Sequence, residues 1–549
     1  MLTKLSTKFS IIILFISSNI LFAQNKSFSQ KDSLRGSLRP ERAYDVSHYE
    51  LHINVNIDKK FISGYNIISF KGQGHSEEMQ IDLFDNMKIK SIKKGSKEIK
   101  YRRISNAVFI SNPIKENQTD KIKIEFEGNP IVAKNAPWDG GFVWTQDDNK
   151  NPWVGVACEG IGASLWWPNK DHLSDEPENM DIYLTVAKPY MGISNGHLVE
   201  QTNEGKKQTT FHWQVSYPIN NYNVTLYIGK YANFSEELTT LSGEKLKLNY
   251  YVLEQNLEKA KTHFTQTAKM LESFDYYLGT FPFIKDGYAL VEAPYLGMEH
   301  QSAIAYGNKY QRGYLGSRIP KDLNFDYIIL HESGHEYWGN SVSCTDYADI
   351  WLHEGFTTYM ESLYIEHLFG KEAGLNYLES QRALIKNDQP ILGPKGVNYT
   401  DQSTDIYYKG AWVLQTLRQS LLNDTLWFQM FKGFYNEHKL GFATTKDFVD
   451  YVSLKSGRDY APFLRQYLKY KPIPKLMYSI SHRDTYTNIK YKWDCLEQEF
   501  YLPVEFDMDG KKIILEPGAN WKNIEFNRNF KSVKPKVRGL LIDVEEVKS

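Results

Sequence analysis

His331-Glu332-Ser333-Gly334-His335 sets two imidazoles four residues apart, with a carboxylate next to the first. On a helix, residues i and i+4 share a face, so both rings can reach one cation. Glu332 then projects beside the pair, where it can hold a water bound to the cation. With 14 histidines in 549 residues, the complete motif is expected about 0.02 times by chance. A solvated helix face therefore explains it poorly. Glu354 follows His335 after 18 intervening residues, within Trp351-Leu352-His353-Glu354-Gly355-Phe356. A helix, a turn and a second helix would return this carboxylate to the two rings. Two histidines and one glutamate leave a fourth position for water, the pattern of a catalytic rather than a structural zinc site, with one Zn2+ per chain. His353 points away from the ion if its helix is regular, and is not counted as a ligand. Glu361 lies seven residues beyond Glu354, two turns along the same face. It is either an acceptor that orients a metal-binding histidine or a carboxylate on the helix surface.

The elements that must position these groups are read from changes of period. From residue 44, apolar residues alternate: Leu51, Ile53, Val55 and Ile57, then Ile122, Ile124 and Phe126, then Ile182, Leu184 and Val186. Turn residues separate such runs, which predicts an all-β domain over 44–235. Leu257, Ala260, Phe264, Ala268, Leu271, Phe274 and Leu278 then recur at steps of three and four. This predicts one amphipathic helix, closed by Gly279. Helical patterns dominate the domain 236–470, including Phe325 to Trp338 and Asp349 to Phe369, the latter stopped by Gly370. Lys471-Pro472-Ile473-Pro474 reads as a linker. Alternating runs such as Tyr501 to Phe506 and Lys512 to Leu515 predict a small β-sandwich over 475–549. The expected fold class is thus multidomain α+β.

Residues 1–23 read as a signal peptide. Lys4 and Lys8 precede the apolar run Ile11 to Phe22, and Ala23 offers a cleavage site. The protein is expected to be exported, to the periplasm or outside the cell. No later run is long enough to span a bilayer, so no stable membrane span is expected after cleavage. Residues 24–43 are polar without periodicity and read as a flexible leader. Hydrophobic residues make up 41% and charged residues 24%, an ordinary globular composition. Net charge is -1 with scattered basic residues, which argues against a nucleic-acid partner. Three cysteines, Cys158, Cys344 and Cys495, allow at most one bridge, and buried free thiols are the default. No Cys-x-x-Cys pair supports a structural zinc ribbon.

Over roughly residues 45–470 the sequence resembles the gluzincin aminopeptidases, the family of aminopeptidase N and leukotriene hydrolase. Its motifs here are the zinc helix with its Trp338-Gly339-Asn340 tail, the Trp-Leu-x-Glu-Gly segment holding Glu354, and an exopeptidase motif at Gly297-Met298-Glu299. The resemblance implies a thermolysin-like, mostly helical catalytic domain that removes the first residue of peptides with a free N-terminus. The family's Gly-Ala-Met-Glu-Asn is here Leu296-Gly297-Met298-Glu299-His300. The carboxylate survives and its flanks are altered, so fine positioning and residue preference are in question. By resemblance, Glu299 pairs with the substrate's α-ammonium, which would set the first peptide bond over the metal. Glu159, in Ala157-Cys158-Glu159-Gly160, is similar in placement to the residue that the family's β-domain adds to the same ammonium; the alternative is a strand-edge carboxylate. Tyr407-Tyr408-Lys409-Gly410 matches the family's Tyr-x-Lys-Gly, which makes Tyr407 the phenol that stabilises the oxyanion, with Lys409 structural. Glu332 is the expected general base.

Two rivals stand beside this reading: a thermolysin-type endopeptidase with a different substrate grip, and a peptide-binding protein that has kept the fold without catalysis. Many family members carry a helical C-terminal domain over the active site. None follows the expected sandwich here, which implies an open cleft or closure by a partner subunit, as in a homo-oligomer.

Overall fold

The computed structural model of the protein describes residues 28–483 and 485–548. The signal-peptide reading of residues 1–23 lies outside them. An eight-stranded sheet organises the first half of the chain. Its central strand, Tyr44–Asn56, pairs antiparallel with Phe61–Gly72 and parallel with Asn179–Ala187. Leu51, Ile53 and Val55 are buried, as are Ile122, Ile124, Phe126, Ile182, Leu184 and Val186. The alternation thus marks the covered face of the sheet. Ile57 sits in the turn beyond its strand. A four-stranded sheet includes Gly141–Gln146 and Pro152–Ala157, the strand that leads into Glu159.

A five-stranded sheet follows, in the order Tyr231–Thr239, Lys245–Leu253, Tyr288–Glu292, Ile304–Tyr306, Gly297–Met298. Residue 235 lies inside the first of these strands, which pairs along its whole length with Lys245–Leu253. Gly297–Met298 is the edge strand, antiparallel to Ile304–Tyr306. The remaining region is helical up to Ala461–Leu468. After the Pro-containing link, Lys475–Arg483 and Tyr486–Asp494 form the centre of a four-stranded sheet, and Val504–Met508 the centre of a three-stranded one. Tyr478 and Phe506 meet between them with ring centroids 5.8 Å apart. This C-terminal β unit docks on the helices: the Leu541 N–H donates to Thr416 Oγ1 at 3.0 Å, and Arg382 donates to the Leu540 and Ile542 carbonyls. None of the described helices is long and apolar enough to cross a membrane.

Three expectations need correction. The predicted helix over 257–278 is two helices, Leu257–His263 and Gln266–Leu278. At the break, Thr265 Oγ1 donates to the Thr262 carbonyl and Gln266 Nε2 to that of His263, local bonds that compete with the helical ladder. The helix expected over 325–338 spans only Tyr327–Gly334. Asp326 starts it by accepting from the Ile328 and Ile329 N–H groups, and after Gly334 the helical ladder gives way to two three-residue turns and then to wider i to i−5 bonds from Asn340, Ser341 and Val342. The described part of the expected flexible leader is ordered. Gln30–Gly36 is a helix with a capping box between Ser29 and Asp32, half-buried Arg35 pairs with Asp171, and buried Arg42 pairs with Asp82. Paired guanidinium groups tie down a segment whose composition alone reads as solvated.

Candidate active site

The helices Tyr327–Gly334 and Trp351–Phe369 cross so that three donors converge. His331 Nε2 lies 3.5 Å and His335 Nε2 3.3 Å from Glu354 Oε2, and the two Nε2 atoms are 3.3 Å apart. Each ring is held from behind. His331 Nδ1 is 2.8 Å from Glu361 Oε1, and His335 Nδ1 is 2.9 Å from the Trp338 carbonyl. A carbonyl and a carboxylate can only accept, so the ring protons sit on Nδ1 and both Nε2 lone pairs point inward. Glu354 Oε2 is buried with no hydrogen-bond partner. Two lone pairs and an unsatisfied carboxylate oxygen this close repel one another unless a cation lies between them. The donor set therefore fits a divalent metal with nitrogen and oxygen ligands.

Glu361 is fully buried, not on the helix surface, and its second oxygen accepts from Tyr377 OH at 2.6 Å and Gln381 Nε2 at 2.9 Å. Glu361→Ala should weaken zinc affinity about 10–100-fold, read by competition with a chelating dye. Unchanged affinity would show that the His331 ring needs no such support. His353 is turned away, as expected: its Nε2 accepts from the Cys344 N–H at 2.8 Å, and burial pushes it down to about 3.

The other site residues gather around this centre. Donor atoms of Glu299, Glu332 and His335 all lie within 4.8 Å of one another. Glu299 Oε1 accepts from Tyr222 OH at 3.2 Å, and its backbone carbonyl accepts from Asn340 Nδ2 at 2.8 Å. Gly297 lies against Glu332: a Cβ there would stand 2.5 Å from Glu332 Oε1. The altered exopeptidase flank thus gives the carboxylate its space. His300 faces Tyr227, 2.7 Å from its hydroxyl, and burial pushes it down to about 3. Leu296 lines a cavity of about 580 Å³ with Trp153, Glu292 and Tyr310.

Tyr407 precedes the helix Tyr408–Ser420, and its ring stacks on His331 with centroids 5.9 Å apart. The glycines of both motifs make this possible. A Cβ on Gly355 would stand 3.0 Å from Gly410 Cα, so the helices carrying Glu354 and following Tyr407 touch backbone to backbone. Lys409 is structural, donating to the Tyr470 and Lys471 carbonyls, with burial lowering it to about 8.

Charge in the site is unbalanced. Burial pushes Glu332 up to about 7, with His331 opposing and Glu299 adding. Burial raises Glu159 well above the carboxylate range, helped by Glu299, Glu354 and Glu332. Glu299 is raised by burial against the pull of His335. Glu354 alone is lowered: burial pushes it up, but His335 and His331 outweigh that. Four acids thus face two imidazoles, and burial disfavours the charged forms of Glu159, Glu299 and Glu332 unless added positive charge joins them.

Tyr222, Tyr377 and Gln381 went unread in the sequence, because nothing local distinguishes them among 37 tyrosines and many amides. Asn340 had a signal, the Trp-Gly-Asn tail. All three cysteines are free, with Cys158 and Cys344 buried.

Comparison with known proteins matches these parts. Residues 45–222 match the Peptidase M1 N-terminal domain and residues 256–467 the Peptidase family M1 domain. Probable aminopeptidase 2 of Sulfurisphaera tokodaii is 22% identical over 523 residues, covering 89% of this chain and 62% of that protein. Aminopeptidase N of Escherichia coli K12 is 24% identical over 366 residues, covering 62% of this chain and 42% of that protein. The chain therefore spans less than two thirds of the length of these relatives. Among solved structures, the M1 zinc metallopeptidase of Deinococcus radiodurans aligns with a TM-score of 0.68 at 19% identity, over 80% of this chain and 97% of that one. Legionella pneumophila aminopeptidase A, in complex with aspartic acid, aligns with a TM-score of 0.75 at 18% identity, over 92% of this chain and 60% of that one. With both family domains matched in order around a His-His-Glu donor set, the chain belongs to peptidase family M1, the gluzincin aminopeptidase N family.

Proposed function

We propose that the protein is a zinc-dependent aminopeptidase that removes the first residue of peptides with a free N-terminus. One observation carries the reading: the buried Glu299 carboxylate stands within 4.8 Å of both the Glu332 carboxylate and a ring of the donor triad. A metal answers part of the surplus negative charge there, and a substrate ammonium beside Glu299 and Glu159 answers the rest.

A zinc ion held by His331, His335 and Glu354 would supply the Lewis acidity that brings a water's pKa to about 7. The edge strand Gly297–Met298 offers backbone groups to an extended peptide, so the substrate can add as a strand with its amino end at Glu299. Ion pairing there sets the first peptide bond beside Glu332. Glu332 takes the proton of the attacking water and returns it to the leaving amine. Tyr407 donates its hydroxyl to the carbonyl oxygen as charge develops on it. The apolar run behind Lys4 and Lys8 supports an exported enzyme, periplasmic or extracellular.

The test compares an unblocked aminoacyl anilide with its N-acetylated form, with and without chelator. The expected result is cleavage of the unblocked form only, lost on chelation and restored by zinc. Preference for the acetylated form would overturn the reading in favour of an endopeptidase. Failure to bind zinc would favour a binding protein.

A further inference from the structure

Upstream of both matched family regions, the helix Gln30–Gly36 reaches the rim of the site, with the Asp32 carbonyl accepting from the Asn398 N–H at 3.1 Å and Arg35 making the further contacts. Arg35 Nη1 donates to the Gly160 carbonyl and, at 2.6 Å, to Asn398 Oδ1. Its Nη2 donates to Asp171 Oδ1 at 3.1 Å and to Tyr347 OH at 3.4 Å. The same Tyr347 hydroxyl accepts from the Gly160 N–H at 3.2 Å. Both peptide groups of Gly160 are therefore held, the N–H through Tyr347 and the carbonyl by Arg35 directly. Gly160 is the residue after Glu159. Asp171 also accepts from the Ser164 N–H and hydroxyl, which ties the far end of the same turn to the same ion pair.

This clamp borders a cavity of about 450 Å³ into which Glu159 opens. Lys31, Leu34 and Arg35 wall it from the helix, and Asn398 and Thr400 from the loop before Tyr407. Gly160 and Asn398, far apart in sequence, thus meet at one guanidinium, and both line the space beside Glu159 with Arg35 itself. A purely structural ion pair would need only Asp171. The fork spent on Gly160 and Asn398 fixes two rims of the cavity relative to each other.

We propose that Arg35 is a positioning residue for substrate: by holding Gly160 it fixes Glu159 against the incoming ammonium and makes the helix Gln30–Gly36 a wall of the subsite for the first side chain. The inference rests on the aminopeptidase reading above. Arg35 touches neither the donor triad nor Glu332, so its loss acts on binding rather than on the chemical step.

The experiment measures KM and kcat for an unblocked aminoacyl anilide with the full chain, in Arg35→Gln, Glu159→Gln and the double variant. Arg35→Gln should raise KM about tenfold, the loss expected for one charged hydrogen bond, with kcat within about threefold. In the Glu159→Gln background the same substitution should change KM by less than about twofold. Tyr347→Phe, which keeps the guanidinium and drops one tie to Gly160, should raise KM in the same direction by about threefold. It carries the test if Arg35→Gln does not fold, as judged by thermal melting. An unchanged KM in a folded Arg35 variant would overturn the inference. So would an equal KM effect with and without Glu159, or a fall in kcat alone. An inactive wild-type enzyme on all unblocked substrates would instead sink the aminopeptidase reading itself.

Discussion

Glu332→Gln should lower kcat by about 10²–10⁴, the range expected when a positioned general base is removed, while one zinc per chain stays bound. The substitution keeps size and shape, and the proposed metal donors are His331, His335 and Glu354. A neutral amide cannot take a proton from the attacking water. Thermal stability should not fall, because Glu332 is buried and burial itself disfavours its charge. Activity, metal content and melting measured on one preparation separate the outcomes. A variant that keeps zinc and turns over within tenfold of wild type would remove Glu332 from the mechanism. A variant that loses both zinc and activity would show that Glu332 helps hold the metal.

Tyr407→Phe should lower kcat by about 10²–10³ with KM changed only a few-fold, as for loss of one oxyanion donor. The hydroxyl is available for donation because burial raises its pKa well above 10, and the neighbouring Glu354 charge raises it further. The ring is held on His331, so its hydroxyl stays near the metal donors. Tyr408→Phe is the control. Burial lifts that phenol to about 12, its main charged neighbours are Glu361 and Arg318, and it should stay within about threefold of wild type. Similar losses in both variants, or a larger loss in Tyr408→Phe, would mean that the motif is out of register by one residue.

Several elements are legible in the sequence because their signals are local. The i, i+4 histidines and the alternating Ile and Leu of the β-domain obey the periods of a single helix or strand. Gly355 and Gly410 were legible as motif residues, but not as the paired contact that brings Glu354 and Tyr407 together. The break at Phe264 and Thr265 was missed because the hydrophobic step pattern runs on across it, while side-chain bonds to the backbone interrupt the ladder. Ser29 and Asp32 form a capping box that could have been read. Arg35 could not, since its partners lie at 160, 171, 347 and 398.

By itself the sequence determined the chemistry: which side chains can hold a metal, take a proton or meet an ammonium, and that His331 and His335 share a helix face. Tertiary structure decided which of them meet. Glu299 reaches His335 and Tyr407 reaches His331 from two different elements, and Glu361 is a buried partner of His331 only because two helices cross there. The reason is physical: periodicity encodes which face of an element is buried, whereas distances between side chains hundreds of residues apart depend on how those faces pack.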